Sequence, residues 1–401
     1  MVESNSAVLG KNIKRLYWVN ILSNAQFHLV VYTLFLLSKG FSTRQFFVIE
    51  SAYYLISLLM EIPTGVFSDK KSRKWSLILA SVVGIPIVPI IILSDSFVLV
   101  LIAMSIGGIS SALVSGTDAA ILYDTLKALD QEHDFKRISG KMGWYTSLSM
   151  ALAGVIGGLI AQVDMAYAWW AYFGAGILAL FAKLTLQEPP FFKETQETES
   201  YIQHLGKSLR MSFTGDAAYF VLYAAIIWLF FSIGFWLWQP YLELSAVPIA
   251  WFGFIYAAQN LVGGYVSKQA HRVEGKIGIG NSLLLVPLLL AAAFIFESQF
   301  MFVLGFIFIF VQATASGLFS PLLGDYINKR IPSSKRATVL SIKNMVNSVL
   351  FMTLSPLVGH LVDLYSLPTA LLLMGMALVA MALIFFFAYQ KRGEMAYQGA
   401  Q

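Results

Sequence analysis

The sequence predicts an all-α membrane protein: twelve transmembrane helices arranged as two pseudo-symmetric six-helix bundles, with both termini cytoplasmic. Three observations predict it. The 401 residues are 58% hydrophobic and only 12% charged, too little polar surface for a soluble globule, and the apolar residues fall in runs of about 18 or more. The basic residues crowd into alternate loops between those runs. The segment Gly65-Val-Phe-Ser-Asp69-Lys-Lys-Ser-Arg73-Lys74 returns in worn form as Gly264-Tyr-Val-Ser267-Lys268-Gln-Ala-His-Arg272.

Hydropathy places the spans at residues 15–38, 43–67, 74–94, 97–125, 136–163, 166–187, 216–242, 249–270, 276–296, 299–324, 335–362 and 366–390. Each is long enough to cross a hydrocarbon core as a helix at 1.5 Å per residue. Lys and Arg are retained on the cytoplasmic side during insertion. Lys11, Lys14 and Arg15 precede the first span, and basic residues recur at 70–74, 127–137, 193–210, 268–276, 329–336 and 391–392. The opposite loops carry Asp95, Asp164, Glu243, Glu297 and Asp363, with Lys39 and Arg44 as basic exceptions. The polar first fifteen residues and the full-length first apolar run carry no cleavage site, so the first helix is expected to stay in the protein.

The duplication fixes the domain plan. Gly65 and Gly264, Ser68 and Ser267, and Arg73 and Arg272 share an offset of 199; Asp124 and Asp325 repeat at 201. Residues 1–187 form an N-terminal six-helix bundle, 188–214 a cytoplasmic linker and 215–401 a C-terminal six-helix bundle. The linker is the one long polar stretch between spans. Within it Ile202, Leu205, Leu209, Met211 and Phe213 suit a short amphipathic helix on the membrane face, or the stretch is a solvated tether. Two related halves imply a central cavity near the membrane midplane.

Composition and motifs exclude several classes. Gly206-Lys207-Ser208 has Tyr201 where a nucleotide-binding loop needs its first glycine, so ATP drive from within the chain is not expected. No His-Glu-x-x-His run occurs, the five histidines form no cluster, and there is no cysteine; no metal and no cofactor are expected. The +5 net charge follows from the loop topology and gives no support to nucleic-acid binding. Short loops, no Cys and no Asn-x-Ser/Thr site suit a bacterial inner membrane.

Six spans, a cytoplasmic linker and six spans, with Glu61-Ile-Pro63-Thr-Gly65-Val-Phe-Ser-Asp69-Lys-Lys-Ser-Arg73-Lys74 between the second and third, resemble the major facilitator superfamily (MFS) of secondary transporters. Ser72 stands where that superfamily usually has Gly. Ser115-Gly116-Thr-Asp118-Ala-Ala-Ile-Leu-Tyr123-Asp124 and Trp238-Gln239-Pro240-Tyr241 resemble poorly characterised bacterial members. The resemblance implies that Gly65, Asp69, Arg73 and Lys74 belong to a gate locking the cytoplasmic helix ends, with Asp124 beside Arg137 and Asp325 beside Arg336 as duplicated partners. Gly65 would permit close helix approach, Asp69 would cap a neighbouring helix and Arg73 would bridge to a carboxylate. Positive-inside retention and helix capping account for the same residues without a gate.

Acids inside spans cost about 2.5–3.5 kcal/mol on insertion scales, so they mark a use or a protonated state. Glu50, Glu61 and Asp118 have no acidic counterpart in the second half and are the proton-coupling candidates; Asp118 is equally well a hydrogen-bonded structural acid, and Glu61, next to Pro63 and the gating loop, reads more readily as structural than as the titrating carboxylate. His28 is a further titratable candidate. Glu50, Tyr54, Ser57 and Glu61 share one helical stripe, with the two carboxylates about 16 Å apart along it. Ser111, Ser115 and Asp118 form another, and Asn20, Asn24 and His28 a third. In the second half Trp236, Gln239, Tyr256, Gln259, Asn260 and Gln312 make an aromatic, amide-rich lining, or an interfacial aromatic belt. Lys343 and Asn347 lie about two turns inside the eleventh span, and Lys141 matches Lys343 in the fifth; such a lysine either pairs with an anionic substrate group or snorkels.

These readings point to a monomeric secondary transporter that moves a small organic, amphipathic solute by alternating access, coupled to protons, within a lipid bilayer. The glycine pair Gly157-Gly158 on the fifth span, without the proline of the exporters' motif, leans the reading slightly toward efflux by antiport. Proton-coupled uptake, and a non-transporting receptor or scaffold of the same fold, are the alternatives.

Overall fold

The computed structural model describes residues 2–190, 215–330 and 333–398, and these are all-helical. The linker helix considered for residues 202–213 lies outside them. Fourteen α-helices occur among the described residues: α1 Val2–Ser23, α2 Tyr32–Ser38, α3 Thr43–Lys70, α4 Arg73–Gly84, α5 Ile87–Leu93, α6 Phe97–Val114, α7 Thr117–Lys127, α8 Phe135–Ala161, α9 Met165–Leu184, α10 Gly215–Leu244, α11 Ile249–Gln299, α12 Ile307–Arg330, α13 Ser333–Leu364 and α14 Leu367–Gln398.

Several expected spans are built from two helical pieces, each for a local reason. The first breaks at Asn24, whose side-chain amide turns back to donate to Asn20 O at 2.8 Å, and resumes through a 3₁₀ turn at Phe27–Val31. The third breaks at Ile85-Pro86, because Pro cannot continue the backbone ladder. The fourth breaks at Gly116, whose φ of 72° is a left-handed conformation that glycine tolerates best. Pro63, Pro240, Pro287, Pro321 and Pro356 sit inside longer helices; at Pro287 the Tyr223 hydroxyl donates at 2.7 Å to Leu283 O, the carbonyl the proline leaves open.

Eleven helical spans among the described residues, some of them built from two of these helices, are long and apolar enough to cross a membrane. The expected eighth span, 249–270, is helical but is not among them, because Gln259, Asn260, Ser267 and Lys268 dilute its apolar content. The loop expected near 271–275 is helical too, and the chain turns instead at Gly278, with φ 77° inside α11.

The chain divides into two compact units. Among the described residues, one comprises 2–41, 45–190 and 249–256, and the other 42–44, 215–248, 257–330 and 333–398. In the first, Leu16, Leu77, Ile121, Leu122, Leu126 and Leu186 are 2% exposed or less and bind α1, α4, α7 and the end of α9 into one cluster. Hydroxyls fasten the helices around it: Ser76 Oγ donates to Leu113 O at 2.9 Å, Ser110 Oγ to Ala80 O at 2.8 Å and Thr64 Oγ1 to Ala112 O at 3.0 Å. In apolar surroundings these bonds replace the solvation a free hydroxyl would lose. In the second unit Val221, Ala224, Leu323, Ile327 and Val339 join α10, α12 and α13.

Candidate functional site

The basic turn between α3 and α4 is built around the N-terminus of α4. That terminus leaves backbone N–H groups unpaired and carries a partial positive charge. Ser72 caps it, accepting from Trp75 N at 3.0 Å. Glu188, just beyond α9, supplies a carboxylate that accepts from Arg73 N at 2.8 Å, Lys74 N at 2.9 Å and the Ser72 hydroxyl. Arg73 then extends its guanidinium to Asp124 on α7, Nε to Oδ2 at 3.0 Å. Two acids from distant parts of the chain therefore hold one helix start.

This geometry revises parts of the sequence reading. Asp124 pairs with Arg73 and not with Arg137, which reaches Asp134 three residues before it, at 3.0 Å. The short spacing within one turn wins over the longer reach to α7. The helix cap assigned by resemblance to Asp69 is supplied at α4 by Ser72 and Glu188; Asp69 is exposed. A Cβ at Gly65 would meet nothing within 4 Å, so no close helix approach occurs there. Close approach occurs at Gly108 instead, where a Cβ would lie 2.5 Å from Tyr53 O and 2.8 Å from Ser57 N. Asp325 lies on α12 and Arg336 on α13. Glu188 was missed because nothing local marks it; its partners are more than a hundred residues away.

The acids inside the spans separate sharply. Glu61 and Asp118 are exposed, and the Asp118 carboxylate accepts from Ala119 N on its own helix at 2.8 Å. Glu50 is 3% exposed and accepts from the Tyr32 hydroxyl at 2.6 Å. Around that pair stands an aromatic cluster. Tyr32 meets Phe46 and Trp169 at ring distances of 5.5 and 5.3 Å, and Tyr53 meets Tyr54 at 5.7 Å. His28 lies between Tyr172 at 4.0 Å and Trp169 at 4.3 Å, with its Nδ1 buried and without a hydrogen-bond partner.

Other candidates have structural work. The Thr146 hydroxyl donates to Asn20 Oδ1, and Lys141 lies over the Tyr17 and Tyr145 rings at 5.7 and 5.9 Å. Ser115 is exposed at the break between α6 and α7. Tyr256 is buried beside Gly154 within the first unit. In the second unit Gln239 is fully buried, Trp236 and Gln259 are half-buried and Asn260 is exposed. Lys343 is half-buried one turn before Asn347, whose Oδ1 is buried without a hydrogen-bond partner. Glu297, expected in a loop, is inside α11 and 1% exposed, and it accepts from Gln312 Nε2 at 2.7 Å. The helix runs past the point where hydropathy alone would end it.

A duplicated clamp was also missed. On α8, Gly158 leaves room for the start of α11: a Cβ there would lie 2.9 Å from Gly253 N. One turn on, Gln162 accepts from Ala250 N at 2.9 Å. On α13, Gly359 does the same for the start of α3, with Arg44 Cα 2.8 Å from its virtual Cβ, and Asp363 accepts from Thr43 N and Arg44 N at 2.8 and 2.9 Å. Each clamp lies within one unit. Gly158 and Gly359, and Gln162 and Asp363, share the offset of 201 already seen for the acids. That repeat was the available signal.

Comparison with known proteins extends the picture. A search of curated proteins finds no match. Among solved structures, the nucleoside transporter NupG aligns at a TM-score of 0.78 with 12% identity, covering 96% of this chain and 98% of that one. A bacterial homolog of the human lysosomal transporter Spinster, in an inward-facing and unoccupied conformation, aligns at 0.70 with 15% identity over 96% and 97%. A D-xylose-proton symporter aligns at 0.67 with 14% identity over 95% and 96%. At such identities these likenesses establish the fold. The family model described as Major Facilitator Superfamily matches residues 16–308, most of the chain, and with the duplicated helices and the basic α3–α4 turn it makes this protein a member of that superfamily of transporters.

Proposed function

We propose that this protein carries a small organic solute across the membrane by alternating access and couples that movement to protons through Glu50. The buried Glu50–Tyr32 pair carries the reading. A carboxyl enclosed by aromatic rings, with a phenol as its hydrogen-bond donor, has no cation to balance an ionised form among the described residues. Binding a proton removes the charge, and release recreates it. The likeness to a proton symporter supports the same mechanism.

Tyr53 and Tyr54, both half-buried, give the first unit an aromatic face suited to a flat or amphipathic solute, while His28 and the buried Trp169 pack on each other in the same cluster. Asp69, Arg73, Asp124 and Glu188 serve the gate at the basic end of the helices. Both termini and the basic loops face the cytoplasm, in a bacterial inner membrane, and one chain suffices for transport. Efflux by antiport is the favoured direction; Gly157 and Gly158, the feature behind that lean, pack tightly on Phe27 and Gly253.

The experiment is untargeted mass spectrometry of cytosol and spent medium from a deletion strain and its complemented parent. An exported substrate accumulates inside the deletion strain and disappears from its medium. A compound left unconsumed in the medium makes the protein an importer. Flux of the identified solute in proteoliposomes then separates transport from a receptor role: Glu50→Gln is expected to remove the response to an imposed pH gradient, and an unchanged response rejects Glu50 as the coupling group.

A further inference from the structure

A second enclosed acid lies outside the site described so far. Glu297 sits two residues before the end of α11 and is 1% exposed, and its Oε1 accepts from the Gln312 amide on α12 at 2.7 Å. Gln312 in turn packs on Gly234 of α10, where a Cβ would come within 3.1 Å of its Oε1 and 2.8 Å of the Phe294 ring. Glycine on α10 thus leaves the space in which the acid and amide meet.

The surroundings contain no counter-charge. On α10 the titratable neighbour is Tyr241, fully buried, with its hydroxyl donating to Phe300 O at 2.8 Å; Glu243, two residues further on, is exposed. From Ile307 to Gly324, α12 carries no charged residue, and α11 carries none from Ile279 to Phe296. The helix α14 meets this stretch through Gly375, beside Ile295 and Ala291 O, and is uncharged from Leu367 to Gln390. Among the described residues no Lys, Arg or His pairs with Glu297. One amide hydrogen bond does not replace the hydration of an ionised carboxylate, whereas the neutral acid is accommodated.

We propose that Glu297 is a second proton-binding site, held by Gln312 in the second unit and independent of Glu50. Binding converts the carboxylate and a hydronium ion to carboxylic acid and water; release returns the proton to a water molecule. The end of α11 at Gln299 is two residues away, so a modest opening there admits that water. At the 201 offset Glu297 falls opposite Ser96 and Gln312 opposite Ser111, so the first half has no copy of this pair. Its role in transport rests on the proton-coupled reading above; its ability to bind a proton does not.

Infrared difference spectroscopy of the purified full-length protein in lipid, titrated with pH in H₂O and D₂O, tests this without a substrate. Parent, Glu50→Gln and Glu297→Gln are compared after circular dichroism and gel filtration show that each is folded. The expected result is that Glu297→Gln removes one protonated-carboxyl carbonyl band that Glu50→Gln leaves in place. A folded Glu297→Gln protein with every band of the parent overturns the proposal. If Glu297→Gln removes its band while Glu50→Gln removes none, the Glu50 reading fails and this one stands. Should Glu297→Gln not fold, Gln312→Leu keeps the acid and deletes its donor; a shift of one carboxyl band that Glu50→Gln does not affect supports the proposal, and an unshifted spectrum overturns it.

Discussion

Arg73 shows how much one side chain at the basic turn has to do. Its backbone N–H donates to Glu188 and its guanidinium contacts Asp124, so it joins the start of α4, the end of the first six-span half and α7. Removing one member of a largely buried ion pair leaves the other uncompensated, a loss of about 3–5 kcal/mol in buried settings. Arg73→Ala is therefore expected to lower turnover and loosen the α4–α7 contact while leaving membrane insertion intact. Flux and surface abundance measured together check it, and parent-like turnover would remove Arg73 from the gate. Glu188→Gln keeps an acceptor but loses the charge that the helix terminus favours, so a smaller loss of turnover is expected in the same assay. The sequence marked Arg73 as a residue that bridges to a carboxylate but could not choose the partner. The resemblance set Arg137 beside Asp124, and the pairing formed with Arg73 depends on how α4 and α7 pack, which the sequence does not state. Glu50 poses the same difficulty. Its position was legible as an acid within a span, but enclosure by Tyr32, Phe46 and Trp169 is a property of packing and is invisible to spacing.

Among the elements, α8 and α13 show what the duplication preserves. Each presents a glycine and, four residues later, an acceptor to the first turn of another helix. The glycine lets backbones approach, and the acceptor satisfies N–H groups that a helix start leaves open. Asp363→Ala is expected to cost about 0.5–2 kcal/mol, in line with loss of an N-cap, and to speed hydrogen exchange at Thr43 and Arg44 while the rest of α3 stays protected. Uniform exchange across α3 would show that the cap does not hold that end. Gly157→Ala is a harsher change, because its Cβ would enter the space of Phe27 O, a backbone atom that cannot swing aside. Overpacking of this kind costs about 1–3 kcal/mol, and a lower thermal midpoint in detergent is the measurement. Helix existence was readable from hydropathy nearly throughout, since long apolar runs leave little choice in lipid. The breaks at Asn24, Ile85-Pro86 and Gly116 were not, because each depends on a local backbone choice inside an apolar run. The stretch of α11 between Gln259 and Lys268 was read as part of a span from the apolar residues around it, although its own polar residues bring the segment short of one.

At the scale of the whole molecule, charge placement makes a prediction about topology that the helices alone do not. Lys39, a basic exception on the acidic side, donates to Asp95 at 2.8 Å and to the carbonyls of Ile92 and Ser94 at 2.9 and 3.2 Å. The Arg44 backbone N–H is held by Asp363. Two basic residues on that side are far outnumbered by those in the opposite loops, so the bias of the basic loops toward the cytoplasm stands. The native chain has no cysteine, which makes single introduced thiols unambiguous reporters. Ser96 and Gln131 are both exposed and lie at opposite ends of the α6–α7 span. With the basic loops inside, Ser96→Cys reacts with a membrane-impermeant maleimide in intact cells, and Gln131→Cys reacts only after the membrane is opened. The reverse pattern would invert the protein. It would then place the Arg73–Asp124–Glu188 cluster on the outer face, and the gate and the direction of proton movement would have to be assigned the other way round.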